Sequence, residues 1–277
     1  MTIDEIIENA LLEDLGDGDH TSLSCIPVGS FGRAKLLVKE EGIIAGIEIA
    51  RKVFEKVDKS VKFTQLMNDG DTVKPGNIVF TVEGNPVSLL SSERLALNFL
   101  QRMSGIATKT NCMVKMLAGL NTKLLDTRKT TPNLRFLEKM AVKSGGGENH
   151  RFGLYDMIMI KDNHVDFSGG IENAITNVKN YLKSKNKNLK IEIEVRNFDE
   201  LQKVLAIGGI HRIMLDNFTP ENLKKAVEII DKRYETEASG GITESTLRKY
   251  AETGVDYISV GSLTHHIKSL DLSLKAY

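Results

Sequence analysis

The chain has 277 residues, enough to bury a sizeable core as one large domain or two. Charged residues make up 27% and hydrophobic ones 41%, with 37 Lys plus Arg against 37 Asp plus Glu. Zero net charge argues against a protein built to coat nucleic acid or a membrane surface, so any anion site must be local. The two cysteines, Cys25 and Cys112, stand far apart in no ligand-like spacing, which suits a reducing cytoplasm better than a disulfide framework or zinc knuckle.

The start, "MTIDEIIENALLEDLG", predicts a helix with Ile3, Ile6, Ile7, Ala10, Leu11 and Leu15 on one broad face. Thr2 with Glu5 fits a capping box. Its acidity is wrong for a signal peptide, and no apolar run approaches the roughly 20 residues a membrane helix needs. Next, "GRAKLLVKEEGIIAGIEIA" and "KFTQLMNDGDTVKPGNIVFTVEG" carry strand-like segments between Gly, Asp, Asn and Pro turns, a small β-rich region. The turn "GDTVKPG" is like a lipoyl-carrier hairpin but lacks the suitably flanked lysine. Ser91 to Leu117 reads as one or two long helices.

After Asn121 short apolar strands alternate with amphipathic helices, the pattern of βα units and a parallel sheet. Strands are expected at 123–126, 156–161, 190–195, 212–216, 234–239 and 257–261, the fifth ("YETEAS") being unusually polar. Thr219-Pro220 opens one helix, with Leu223, Ala226, Val227 and Ile230 as its buried stripe, and Gly254 closes another. At the carboxyl ends stand Asp126 with Arg128 and Lys129, then Lys161, Glu194, Asp216, Ser239-Gly240-Gly241 and Gly261-Ser262. Polar groups at the same end of every strand are what a β/α barrel active site demands. With six units the barrel is smaller than the usual eight, and an open doubly wound sheet is the alternative.

Two cationic pairs sit beside flexible or hydroxyl-rich backbone, in "DTRKTTP" (126–132) and "SGGGENHRFGL" (144–154). Arg128, His150 and Arg151 suit planar carboxylates, because a guanidinium fork accepts them bidentately. "GGGENHR" matches neither a dinucleotide fingerprint nor a Walker loop. The terminal "SGG" and "VGS" loops suit a phosphate, the alternative being Ser239 as a plain helix cap. Glu194 and Asp216 can hold Mg²⁺ on a diphosphate or bond ribose hydroxyls; equally, they can form ion pairs with Lys129 and Lys161. Lys161 at a strand end also admits a Schiff-base aldolase.

Together "EDLGDGDHTS", "SSERLALNFLQRMSGIAT", "DTRKTTPNLR", "GGGENHRFGL", "IKDNH", "LDNF", "EASGGI" and "GVDYISVGSLTH" resemble the quinolinate phosphoribosyltransferase family along nearly the whole chain. Asn133 departs from it, standing where relatives often have Gly; Asn tolerates left-handed backbone. The resemblance implies an N-terminal α/β sandwich domain (1–115), an incomplete β/α barrel (116–277) whose last residues pack back on the first domain, and a homodimer. It implies that quinolinate and phosphoribosyl pyrophosphate give nicotinate mononucleotide, pyrophosphate and CO₂ with Mg²⁺. By position, Arg102, Arg128, His150, Arg151 and Lys161 would bind quinolinate, Arg102 being donated by the partner subunit. Lys129, Glu194, Asp216, Ser239, Gly240, Gly241, Gly261, Ser262 and His265 would serve phosphoribosyl pyrophosphate and its metal. Molybdenum-transport-associated paralogues, or a retired paralogue that only binds an anion, are the rivals within the resemblance.

Overall fold

The computed structural model describes residues 2–277, and the chain divides into two compact units. One comprises the first 111 residues, 130–146 and 262–277; the other comprises 112–129 and 147–261.

The N-terminal part runs α1 (Ile3–Leu15), α2 (His20–Cys25), β1 (Gly32–Val38), β2 (Gly42–Ile43), α3 (Ile47–Val57), β3 (Lys62–Gln65), β4 (Thr72–Val73), β5 (Ile78–Gly84) and α4 (Pro86–Met116). The Thr2–Glu5 capping box forms as expected, with Ile6, Ile7 and Leu11 buried. α4 is one 31-residue helix rather than two. The strand-like stretch "GIEIA" is instead the start of α3. Both carboxylate oxygens of Asp69 accept the N–H groups of Gly46 and Ile47, at 3.0 Å each, and so cap a helix. Ile47, Ala50, Val53 and Phe54 then bury its apolar stripe. Phe54, Phe63 and Phe80 form an aromatic cluster where α3 meets the sheet. "GDTVKPG" contributes β4, which pairs with β2 rather than closing a carrier hairpin.

The remainder runs β6 (Lys123–Leu125), α5 (Arg135–Ser144), β7 (Ile158–Ile160), α6 (Asp162–Ser168), α7 (Ile171–Ser184), β8 (Ile191–Val195), α8 (Phe198–Ile207), β9 (Arg212–Asp216), α9 (Pro220–Ile230), β10 (Glu235–Ser239), α10 (Glu244–Ala251), β11 (Tyr257–Ser259), α11 (Ser262–His265) and β12 (Leu272–Ala276). β12 returns to pair antiparallel with β1, giving a four-stranded sheet in the order β12-β1-β5-β3. The six parallel strands lie in the order β6-β11-β10-β9-β8-β7, and β6 and β7 do not pair with each other. That is an incomplete β/α barrel. Thr219 caps α9 with Pro220 in its first turn, and Gly254 (φ 86) turns the chain after α10.

Gly105, inside α4, gives one sharp test of packing. A Cβ there would lie 2.2 Å from the backbone oxygen of Lys268, just before β12. Alanine gains about 1 kcal/mol in helix propensity over glycine, but a backbone oxygen at that distance cannot yield as a side-chain tip can. Gly105→Ala is therefore expected to destabilise by roughly 1–3 kcal/mol, as overpacked cores do, read as a lower midpoint in denaturant unfolding.

Candidate active site

A strand's two-residue period places Glu192 and Glu194 on one face of β8, Arg212 and Asp216 on one face of β9, and Glu235, Glu237 and Ser239 on one face of β10. The register aligns them in rungs: Glu192 with Arg212 and Glu235, then Glu194 and Glu237 flanking Met214, then Asp216 with Ser239. Ionisable side chains thus run from the middle of the sheet to its carboxyl edge.

At the edge, Lys161 Nζ lies 3.1 Å from Glu194 Oε2, an ion pair expected there. Glu194 is buried and Lys161 is half exposed. An ammonium held by a carboxylate is a charge contact, unlike the apolar pocket or neighbouring cation that activates a Schiff-base lysine. Burial, and then the neighbouring Glu194 charge, raise the proton affinity of Asp216. Two carboxylates that strain one another, offering only hard oxygen donors, fit a divalent cation such as Mg²⁺. Gly240 (φ 97) and Gly241 (φ 62) follow, and a Cβ on Gly241 would meet nothing within 4 Å. Ser239 is not a helix cap, because α10 begins later and Thr243 occupies that position.

The segment after the three glycines runs along β6. The Asp126 N–H donates to Glu148 O, the Glu148 N–H to Leu124 O, and buried Asp126 accepts the His150 N–H at 2.8 Å. Arg151 follows, half-buried, with Nη1 donating to Met157 O at 3.3 Å. Burial and the adjacent Arg128 cation both disfavour its charge, which is the environment of a site awaiting an anion. Arg128 and Lys129 are exposed in the loop after β6. Asn133 takes left-handed backbone (φ 66), as anticipated for an Asn in place of Gly.

His150 itself is buried. Its Nε2 lies 3.0 Å from Glu192 Oε2 and 3.2 Å from Glu237 Oε2, and its Nδ1 accepts the Arg151 N–H at 2.6 Å. Burial lowers its basicity, but the two carboxylates win and raise it, while burial and the Glu237 charge raise Glu192. Because Nδ1 accepts the Arg151 N–H, the ring carries hydrogen only on Nε2 and the added proton is held by the carboxylate pair. Both shifts describe one extra proton held by the cluster. With Arg212, which donates to Glu237 at 3.1 Å, that proton neutralises the two acids. Glu192, Glu237 and Arg212 are absent from the residues expected from sequence. Their signal was the E-x-E spacing in "KIEIEV" and "YETEAS", acids recurring on one face of short strands.

In the other unit, Arg102 Nε and Nη2 donate to the buried Glu138 at 3.0 and 2.5 Å, and Nη2 also reaches Thr131 Oγ1 at 2.7 Å. Ser262 and His265 bound the short helix α11.

An incomplete barrel whose strand ends pair acids with cations, beside glycine loops, defines an enzyme that handles polyanions. The family model for the quinolinate phosphoribosyl transferase N-terminal domain matches residues 19–104, and that for its C-terminal domain matches 106–275. The chloroplastic carboxylating nicotinate-nucleotide pyrophosphorylase of Arabidopsis thaliana is 46% identical over 98% of this chain and 81% of its own length. The probable carboxylating enzyme of Bacillus subtilis is 42% identical over 99% of this chain and 93% of its own. The crystal structure of NadC from Streptococcus pyogenes superposes with a TM-score of 0.94 at 40% identity, covering 99% and 95% of the two chains. The chain belongs to the quinolinate phosphoribosyltransferase family.

Proposed function

We propose that this enzyme transfers phosphoribosyl from phosphoribosyl pyrophosphate to quinolinate with decarboxylation, giving nicotinate mononucleotide, pyrophosphate and CO₂. The observation that carries the reading is the pairing of two like-charged arginines, Arg128 and Arg151, with the Lys161–Glu194–Asp216 array at the same sheet edge. One part suits a dicarboxylate and the other a diphosphate on its metal.

The pyridine nitrogen attacks the ribose C1 as the C1–O bond to pyrophosphate breaks, through an oxocarbenium-like state. The ring nitrogen then bears positive charge, which stabilises the carbanion left when the adjacent carboxylate leaves as CO₂; a solvent proton fills that position. No nucleophile on the protein is required, so positioning and electrostatics carry the chemistry. Arg128, Arg151 and Lys161 orient the quinolinate carboxylates, and His150, whose two ring nitrogens are engaged within the chain, lines that site from below. Lys129, Ser239, Gly240, Gly241, Gly261, Ser262 and His265 serve the phosphates, supported at Gly241 by open backbone, whereas a Cβ on Gly240 would meet Asn217 Oδ1 at 2.1 Å. Glu194 and Asp216 would hold Mg²⁺ and favour the developing ribosyl cation, the metal neutralising charge on departing pyrophosphate.

Arg102 completes the quinolinate site of a partner subunit in a homodimer; its guanidinium is fixed by Glu138 along one edge, while Nη1 makes no bond among the described residues. A reducing, cytoplasmic setting suits two exposed free thiols, Cys25 and Cys112, and no described helix is long and apolar enough to cross a membrane. The purified chain is expected to consume phosphoribosyl pyrophosphate only with both quinolinate and Mg²⁺, releasing CO₂. Turnover of nicotinate in place of quinolinate, or none with either, would overturn the reading.

A further inference from the structure

Four ionisable side chains meet beneath the proposed quinolinate site, and the reaction as described uses only one of them. Glu192 and Glu237 are fully buried, and His150 is nearly so. Arg212 reaches Glu237 by Nη1 at 3.1 Å and Glu235 by Nε and Nη2 at 3.1 and 3.0 Å, with its guanidinium 4.0 Å from the Tyr257 ring centroid. Burying that many charges is costly unless each is compensated, and a buried charge network that serves only stability is often matched or bettered by apolar packing. One imidazole and two carboxylates within 4.8 Å also make a formal metal-ligand set. Arg212 and the extra proton already neutralise it, which removes the attraction for a cation.

We propose that Glu192, Glu237 and Arg212 are positioning residues for quinolinate: they clamp the His150 ring, and through it the backbone that aims Arg151. The geometry runs in one continuous chain. Arg212 holds Glu237; Glu237 and Glu192 share the Nε2 edge of His150; the opposite edge, Nδ1, accepts the Arg151 N–H. Asp126 fixes the preceding peptide through the His150 N–H, so the backbone is held on both sides of His150. Rotation of the ring would therefore release the Arg151 amide and let the guanidinium drift from its setting. Misplacement of about 1 Å far from the chemistry is enough to cost about a hundredfold.

This inference rests on the proposed reaction, so the wild-type enzyme turning over quinolinate with phosphoribosyl pyrophosphate is the control that tests that reading separately. Glu192→Gln and Glu237→Gln keep shape and remove one charge each; Arg212→Lys keeps charge but loses the fork, and serves if the glutamine variants do not fold. Steady-state kinetics on each folded variant should show KM for quinolinate raised about tenfold or more, with KM for phosphoribosyl pyrophosphate changed less than about twofold. In a His150→Ala background the added effect of Glu237→Gln should vanish, because its route to Arg151 is already cut. Unchanged KM for quinolinate, equal rises in both KM values, or a full effect persisting without His150 would overturn the proposal. So would a stoichiometric transition metal in the purified wild type that Glu237→Gln abolishes.

Discussion

Arg151→Ala is expected to weaken quinolinate binding by about 2–5 kcal/mol, the cost of unpairing a buried charge, while leaving phosphoribosyl pyrophosphate nearly untouched. Arg151 is half-buried next to Arg128, so neither burial nor its neighbour favours the Arg151 charge. A dicarboxylate relieves both penalties at once, and removal of the fork leaves one carboxylate desolvated with no bidentate partner. Glu194→Ala should do the reverse. It removes the buried acid that holds Lys161 and that repels Asp216, so metal-dependent use of phosphoribosyl pyrophosphate should collapse while quinolinate still binds. Calorimetric titration of each ligand into each variant separates the two, with Mg²⁺ present for the second. Equal loss of both ligands in either variant would show that the pocket is not partitioned this way.

Much of the barrel was legible because its strands are short apolar runs with a polar residue at one end. β9 was placed from Arg212 to Asp216 without error, and the others shifted by one or two residues where fraying ends carry the polar group. The polar texture of β10 made it the least readable strand, and the structure supplies the cause: Glu235 and Glu237 point to Arg212 and His150. A sequence shows that two acids share a strand face; it does not show which cation, many residues away, the register sets beside them. That is why Glu192, Glu237 and Arg212 escaped notice while the edge residues did not. The same limit hid the cap on α3, since nothing local to Gly46 points to Asp69, 23 positions further on. Roles for Arg102 or His265 came through resemblance to the family, not from periodicity or charge.

Mixing Arg102→Ala and Arg151→Ala subunits should restore activity that neither homodimer has. Arg102 sits on α4, with Nε and Nη2 engaged by Glu138, whose side chain is only 1% exposed. In each mutant homodimer every site lacks one quinolinate contact, so both proteins should be nearly inactive. A two-fold interface makes donation reciprocal. In a mixed dimer, one barrel then has Arg151 and receives Arg102 from its partner, while the other has neither. Random assortment of equal amounts makes half the dimers mixed, so unfolding and refolding together should recover roughly a quarter of wild-type activity. The design also separates donation from local damage. Arg102→Ala strips the buried Glu138 of its partner, and if that crippled the chain's own barrel, the mixed dimer would have no working site. Recovery can arise only if the chain lacking Arg102 still folds a competent barrel and borrows its arginine from the other subunit. No recovery, with mixed dimers demonstrated by mass tagging of one subunit, would refute the shared site.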